Sequence, residues 1–176
     1  MKWDKYFYNI CNSVATKSPC LSRRIGAIIV RDKSIVSTGY NGPPRGIPHC
    51  GAERLVNDKD LRKSLLESKY CNENFSPKDL NSTCPRKLLG YSSGTHMDIC
   101  PAQHAEENAV SNAARLGVCA EGTTLYLNSI VPCKNCLGVI INSGIKEIVV
   151  TILDFYDELS EYIFNNSSII IREFEL

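Results

Sequence analysis

The sequence predicts an α/β fold in which a five-stranded mixed sheet is flanked by helices. Three observations carry that prediction. Two short β-branched runs, residues 25–30 and 35–38, are joined by the polar link Arg31-Asp32-Lys33-Ser34, the pattern of an antiparallel hairpin. From His104 onward, helical and strand-like segments alternate, which favours parallel pairing through crossovers. The chain has 176 residues, 43% of them hydrophobic, enough to bury the core of a single domain spanning 1–176 without staples.

The elements follow in order. Trp3, Phe7, Ile10 and Val14 recur at helical spacing, so a first helix should run to about Ser18-Pro19. The hairpin comes next. Gly39-Tyr40-Asn41-Gly42-Pro43-Pro44-Arg45-Gly46 is too rich in glycine and proline for a regular element. Residues 52–69 read as one polar helix, with Leu55, Leu61 and Leu65 on its buried side. Residues 70–100 lack periodicity and carry Cys71, Cys84 and Cys100, so this stretch should be a loop-rich insert held by something other than a core. A helix is expected over 104–116, closed by Gly117, with Ala105, Ala109, Ala113 and Ala114 permitting close packing. A strand over 123–127, a helix from Pro132-Cys133 to Ile141, a strand over 148–152, a helix over 156–164 and a strand over 169–172 complete the chain.

Composition narrows the function. There are 20 Lys+Arg against 19 Asp+Glu, a net charge of +1, which disfavours a nucleic-acid platform and a disordered chain. No apolar run reaches a membrane span, and Met1-Lys2-Trp3-Asp4-Lys5-Tyr6 lacks the apolar stretch of a signal peptide. The expectation is a soluble cytoplasmic protein with no membrane partner. Nine cysteines and three histidines then point to metal rather than disulfides.

Two fragments concentrate the chemistry: His104-Ala105-Glu106, and Pro132-Cys133-Lys134-Asn135-Cys136 about 30 residues later, across a strand. One imidazole and two thiolates make three tetrahedral zinc ligands and leave a fourth position open. Cysteines at a helix start are favoured as thiolates. Glu106 lies two residues after the histidine and would face the open side as a proton shuttle, whereas its neighbour Glu107 points about 100° away. Either fragment alone is weak; together they match the zinc deaminase signature. A purely structural zinc site and a redox Cys-x-x-Cys are the rivals, and neither accounts for Glu106.

From about Ser13 to Glu158 the chain resembles the cytidine deaminase superfamily, and within it the deoxycytidylate (dCMP) deaminase family. The marks are Arg24-Ile25-Gly26-Ala27-Ile28-Ile29, the 38–46 loop, Pro48-His49-Cys50, His104-Ala105-Glu106-Glu107-Asn108-Ala109 and the Pro-Cys-x-x-Cys motif. The resemblance implies a three-layer α-β-α sandwich and hydrolysis of dCMP to dUMP and ammonia, supplying dUMP for dTTP synthesis. It implies catalytic zinc on His104, Cys133 and Cys136, with Glu106 as the proton shuttle. Ala105 and Val131-Pro132 would shape the base pocket, Asn41 would meet the deoxyribose, and Ser22, Arg24, Arg115 and Tyr156 are candidates for the phosphate end. The loop Asn41, Gly42, Pro43, Arg45, Gly46 would hold a regulatory nucleotide with Mg²⁺, dCTP activating and dTTP inhibiting, in a homo-oligomer, many relatives being hexamers. A second, structural zinc would fix the insert at about 50–100 through Cys50, Cys84 and Cys100, with Cys20, His49 or His96 as the fourth ligand; free buried cysteines are the plainer reading. Cys11, Cys71 and Cys119 are expected to be ordinary. Ser111-Asn112 depart from the family's apolar residues there, and the 167–176 tail suits an edge strand or a subunit contact. Outside this family, a deaminase acting on another cytosine nucleotide or nucleoside, and a zinc-stabilised binding module, are the alternatives.

Overall fold

A computed structural model describes residues 2–68, 81–92 and 94–176. The chain divides into two compact units. One comprises Met1–Ser18, Ile25–Asn41 and His104–Leu176; the other, Pro19–Arg24 and Gly42–Gln103.

The first unit is built on a five-stranded mixed sheet of order β2-β1-β3-β5-β7. Strands β1 (Gly26–Arg31) and β2 (Ser34–Tyr40) form the expected antiparallel hairpin. Its turn is tight: Asp32 and Lys33 both adopt positive φ, 47° and 64°, the combination that matches the strand twist of a two-residue hairpin. Strand β1 also pairs antiparallel with β3 (Thr124–Leu127). From β3 outward, β5 (Glu147–Val150) and β7 (Ile170–Glu173) pair in parallel, as the alternating segments require.

Period-two alternation distributes the strand residues to both faces. Ala27, Ile29, Leu125, Leu127, Ile148 and Val150 join Ala105, Ala109 and Ala113 of α5 (Ala105–Arg115) and Leu137 and Ile140 of α6 (Lys134–Asn142) in one core. Ile28, Val30, Tyr126 and Val149 point the other way and meet Phe7 and Cys11 of α1 (Trp3–Ala15). The sheet therefore lies between helices on both faces. Helix α7 (Glu158–Asn165) adds Ile163 and Phe164 to the first core.

Two expectations fail in instructive ways. The strand expected over 148–152 leaves the main sheet after Val150; Ile152–Phe155 is a separate strand, β6, paired in parallel with the short β4 (Ile130–Val131). The single helix expected over 52–69 is two, α2 (Ala52–Asn57) and α3 (Lys59–Glu67). Asp58 breaks it: its backbone leaves the helical region, and its Oδ1 accepts the Leu61 N–H at 2.9 Å, capping α3.

Helices α2 and α3 belong to the second unit, with α4 (Pro85–Leu88) and a 3₁₀ turn (Met97–Ile99) that the sequence pattern did not indicate. Leu55, Leu61, Leu65 and Leu89 form its small core. The long segment 42–103 is closed at its ends: Gly42 N–H donates to Gln103 C=O at 3.1 Å, and Gln103 N–H to Gly42 C=O at 2.9 Å. Cys71 lies outside the described residues. Among the described residues, no helix is long and apolar enough to cross a membrane.

Candidate metal centre and active site

Two helix starts build the centre. His104 is the N-cap of α5 and Cys133 the N-cap of α6, both with extended backbone, and Cys136 lies in the first turn of α6. The short strand β4 leads directly through Pro132 into the start of α6, whereas α5 is reached from the 3₁₀ turn through residues 100–103.

Helix α5 is seated by β2. A methyl group on Gly39 would fall within 3 Å of Ala105 O, Ala109 N and Ala109 Cα, so only a glycine permits this approach. Three hydrogen bonds hold the contact: Ser37 Oγ donates to Ala109 C=O at 2.7 Å, Asn108 Nδ2 to Tyr40 C=O at 2.8 Å and Asn112 Nδ2 to Thr38 C=O at 2.8 Å. At the helix start, Glu107 Oε2 accepts the His104 N–H at 3.3 Å. Glu107 thus caps its own helix, leaving Glu106 to face inward, buried at 5% exposure.

His104 Nδ1 lies 3.6 Å from Cys133 Sγ and 3.2 Å from Cys136 Sγ. The three donor atoms fall within 4.8 Å of one another, and no other such group of three occurs among the described residues. The hydrogen bond from Cys136 and the one with His104 pull the Cys133 thiol down to about 4. The same contact with Cys133 lifts His104 to about 9, and it raises Cys136 well above the usual thiol range. Burial pushes the Glu106 carboxyl up, against the opposing pull of His104. Soft sulfur and imidazole donors converging on one point suit Zn²⁺, and three protein ligands are the set of a catalytic rather than a closed structural site. A carboxyl buried beside them and inclined to keep its proton can both give and take one.

The other expected residues are placed as follows. Ala105, Val131 and Pro132 are buried beside the metal donors in sequence. Asn41 is buried, and its Oδ1 accepts from Ser18 Oγ at 2.7 Å and from Ile25 N–H at 2.8 Å, so this oxygen already holds the end of β2. Tyr156 is half-buried in the corner between β6 and α7. Arg115 is not brought to the centre: it is exposed in the last turn of α5, about 16 Å along the axis from His104.

In the second unit, Arg24 is exposed, and Ser22 N–H donates to Cys20 Sγ at 3.4 Å. Residues 44–47 make a turn closed by Ile47 N–H to Pro44 C=O at 3.1 Å, with Gly46 at φ 80° and Arg45 exposed. Cys84 is buried, and Cys20, Cys50 and Cys100 are half-buried, but their donor atoms do not converge as tightly as the first group. Burial raises the Cys50 thiol to about 11, with Arg54 pulling the other way and Cys100 and Cys84 adding to the rise. Both ring nitrogens of His49 are buried without a hydrogen-bond partner, whereas His96 is exposed and stacked on Tyr91 at 3.6 Å between ring centroids. Of the two histidines considered as a fourth ligand, His49 is the one whose ring nitrogens are buried.

The sequence pattern does not point to two residues that meet the helices carrying the donors, Gly39 and Asp157. Gly39 was noted only as part of a loop. Asp157 accepts Ser160 N–H at 2.8 Å with Oδ1 and the Lys134 N–H of α6 at 3.1 Å with Oδ2. An Asp before a helical segment signals a cap, but nothing local announces the second bond.

This fold and this donor set identify the class. The model of the cytidine and deoxycytidylate deaminase zinc-binding region matches residues 1–152, and the chain belongs to that family. Among individual proteins it is similar to the deoxycytidylate deaminase of Saccharomyces cerevisiae, 33% identical over 172 residues, which cover 98% of this chain and 45% of that protein. It is likewise 33% identical over 154 residues to the deoxycytidylate deaminase of Mycobacterium phage D29, covering 84% of this chain and 92% of the phage protein. The chain thus spans less than half the length of the yeast relative. The fold is also that of the dCMP deaminase of cyanophage S-TIM5 crystallised with dCMP and dUMP, at a TM-score of 0.63, 20% identity and 98% coverage of both chains.

Proposed function

We propose that this chain is a zinc-dependent deaminase that hydrolyses dCMP to dUMP and ammonia, supplying dUMP for dTTP synthesis. The observation that carries the reading is the convergence of His104 Nδ1, Cys133 Sγ and Cys136 Sγ within 4.8 Å, with Glu106 buried two residues from the histidine. Zinc held by these three residues would activate water for attack at C4 of the cytosine. Glu106 would accept one proton from that water and deliver it to N3, then accept the second from the hydroxyl now on C4 and deliver it to the departing amine. Burial, which raises its affinity for the proton, suits it to both deliveries. The buried backbone around Ala105 and Val131-Pro132 would enclose the base and exclude bulk water. Asn41 would meet the deoxyribose, and Ser22, Arg24 and Tyr156 the phosphate, for which a guanidinium fork is the matched partner.

The reading extends to regulation and assembly. The 41–46 loop would bind dCTP with Mg²⁺ as activator and dTTP as inhibitor, in a cytoplasmic homo-oligomer of hexamer type. The Gly46 turn and exposed Arg45 support it by offering backbone N–H groups and a cation to a triphosphate. A second zinc would hold the insert through Cys50, Cys84 and Cys100, completed by Cys20 or His49; the orphaned His49 nitrogens support a metal nearby.

The deciding experiment is a substrate panel of dCMP, dCTP, deoxycytidine and cytosine, read by loss of cytosine absorbance. Preferred turnover of dCMP is expected; none, with dCTP and Mg²⁺ present, would refute the reading. Glu106→Gln should lower kcat by at least about 100-fold while zinc is retained. Metal analysis should give about two zinc per chain, falling to about one in Cys84→Ser.

A further inference from the structure

Asp157 connects two helix starts that the sequence separates. Its Oδ1 and backbone form a reciprocal cap with Ser160, whose Oγ donates to Asp157 C=O at 2.7 Å, and whose side chain is fully buried. A cap of α7 needs only that one oxygen. Oδ2 instead accepts the Lys134 N–H at 3.1 Å. That amide belongs to the peptide plane shared by Cys133 and Lys134, so its direction fixes ψ of Cys133 and therefore where the Cys133 side chain points. Lys134 is the first helical residue of α6, and its N–H has no acceptor within the helix. One carboxylate thus supplies a missing acceptor to the helix that carries both metal thiols.

We infer that Asp157 is a positioning residue for the metal ligand Cys133, acting through the Lys134 amide. The inference rests on the proposed metal reading. Through this bond the β6–α7 corner would keep Cys133 Sγ turned toward His104 Nδ1, 3.6 Å away. Its loss lets the Cys133–Lys134 peptide rotate and lengthens the sulfur's excursions, which speeds metal escape. Outer partners of metal ligands are worth about 10- to 100-fold in metal affinity.

Three variants of the zinc-loaded full chain test it, with zinc release followed by a chromophoric chelator and the relevant phase identified by its loss in Cys136→Ser. Asp157→Ala removes both bonds. Asp157→Ser keeps a short acceptor for Ser160 N–H but cannot reach Lys134. Lys134→Pro deletes the donor itself at a position where proline is well tolerated, leaving Asp157 intact. Asp157→Ala and Asp157→Ser should both release zinc at least about tenfold faster, with Asp157→Ser regaining most of the thermal stability lost in Asp157→Ala. Lys134→Pro, whose ring holds the preceding Cys133 in the extended conformation it already has, should release zinc at close to the wild-type rate with little change in melting temperature. Release at the wild-type rate in Asp157→Ser overturns the inference and leaves Asp157 as a cap of α7 alone. A wild-type protein with no zinc phase that depends on Cys136 overturns the metal reading, and this inference with it.

Discussion

Gly39→Ala is the sharpest test of how the centre is held. The added methyl would meet Ala105 O, Ala109 N and Ala109 Cα at under 3 Å, against ordinary contacts of 3.4 Å or more. All three are backbone atoms, so no side chain can swing away, and α5 would have to retreat by roughly 1 Å. Overpacking of this kind costs about 3 kcal/mol. For a chain of this size that is a fall of roughly 6–12 °C in Tm. The retreat also moves His104 and Glu106, which ride on the first turn of α5, and a 1 Å misplacement is worth about 100-fold in rate. The expected result is a loss of about 100-fold in kcat/KM for deamination together with the thermal shift. Gly138→Ala is the control: it lies inside α6 with nothing within 4 Å of the new methyl, and should stabilise the protein by about 0.5–1 kcal/mol. Wild-type activity and melting in Gly39→Ala would refute the account of how β2 seats the site.

Four further outcomes are expected. Arg172 donates to Asp4 from both terminal nitrogens and to Glu147 from Nε at 2.8 Å, and Arg172→Ala should lower stability by about 2 kcal/mol in denaturant titration, less than for a fully enclosed pair because the arginine is 34% exposed. Desolvation raises the Asp4 carboxyl, but Arg172 and the Glu175 N–H outweigh it and hold it below its ordinary value; its contribution is therefore complete above the unfolded value near 4 and lost as pH falls below that, an acid-limb loss that Arg172→Ala should diminish. Asp58→Ala should cost about 1 kcal/mol by removing the cap of α3, read as faster amide exchange in α3. Alkylation mapped by mass spectrometry should modify exposed Cys119 in the native protein but spare Cys11, whose thiol is raised to about 12 by burial, until unfolding.

What the sequence disclosed depended on the range of the interaction. The 3.6-residue spacing of Trp3, Phe7, Ile10 and Val14 is a local property, and α1 follows it. The two metal motifs were legible because chelation demands fixed residue types at short spacing, and both sit where a helix begins. Long-range pairing left no such mark. The parallel contact of Ile130–Val131 with Ile152–Phe155 joins short segments with no alternation of their own, so β6 merged with β5. Asp58 was lost inside a leucine periodicity that runs through it, although its side chain competes with the helix backbone. Gly39 and Asp157 act on partners far along the chain, Ala105 and Lys134, and a residue's type alone does not say what lies across from it.

The paired bonds between Gly42 and Gln103 have a consequence for how the chain tolerates added length. They close the long excursion at its base, one residue before the histidine of the centre. Each doubling of the length of chain that they close would add only about 0.6 kcal/mol of loop-closure entropy. Added length between Gly42 and Gln103 is therefore tolerated where the new residues stay clear of the Leu55, Leu61, Leu65 and Leu89 core.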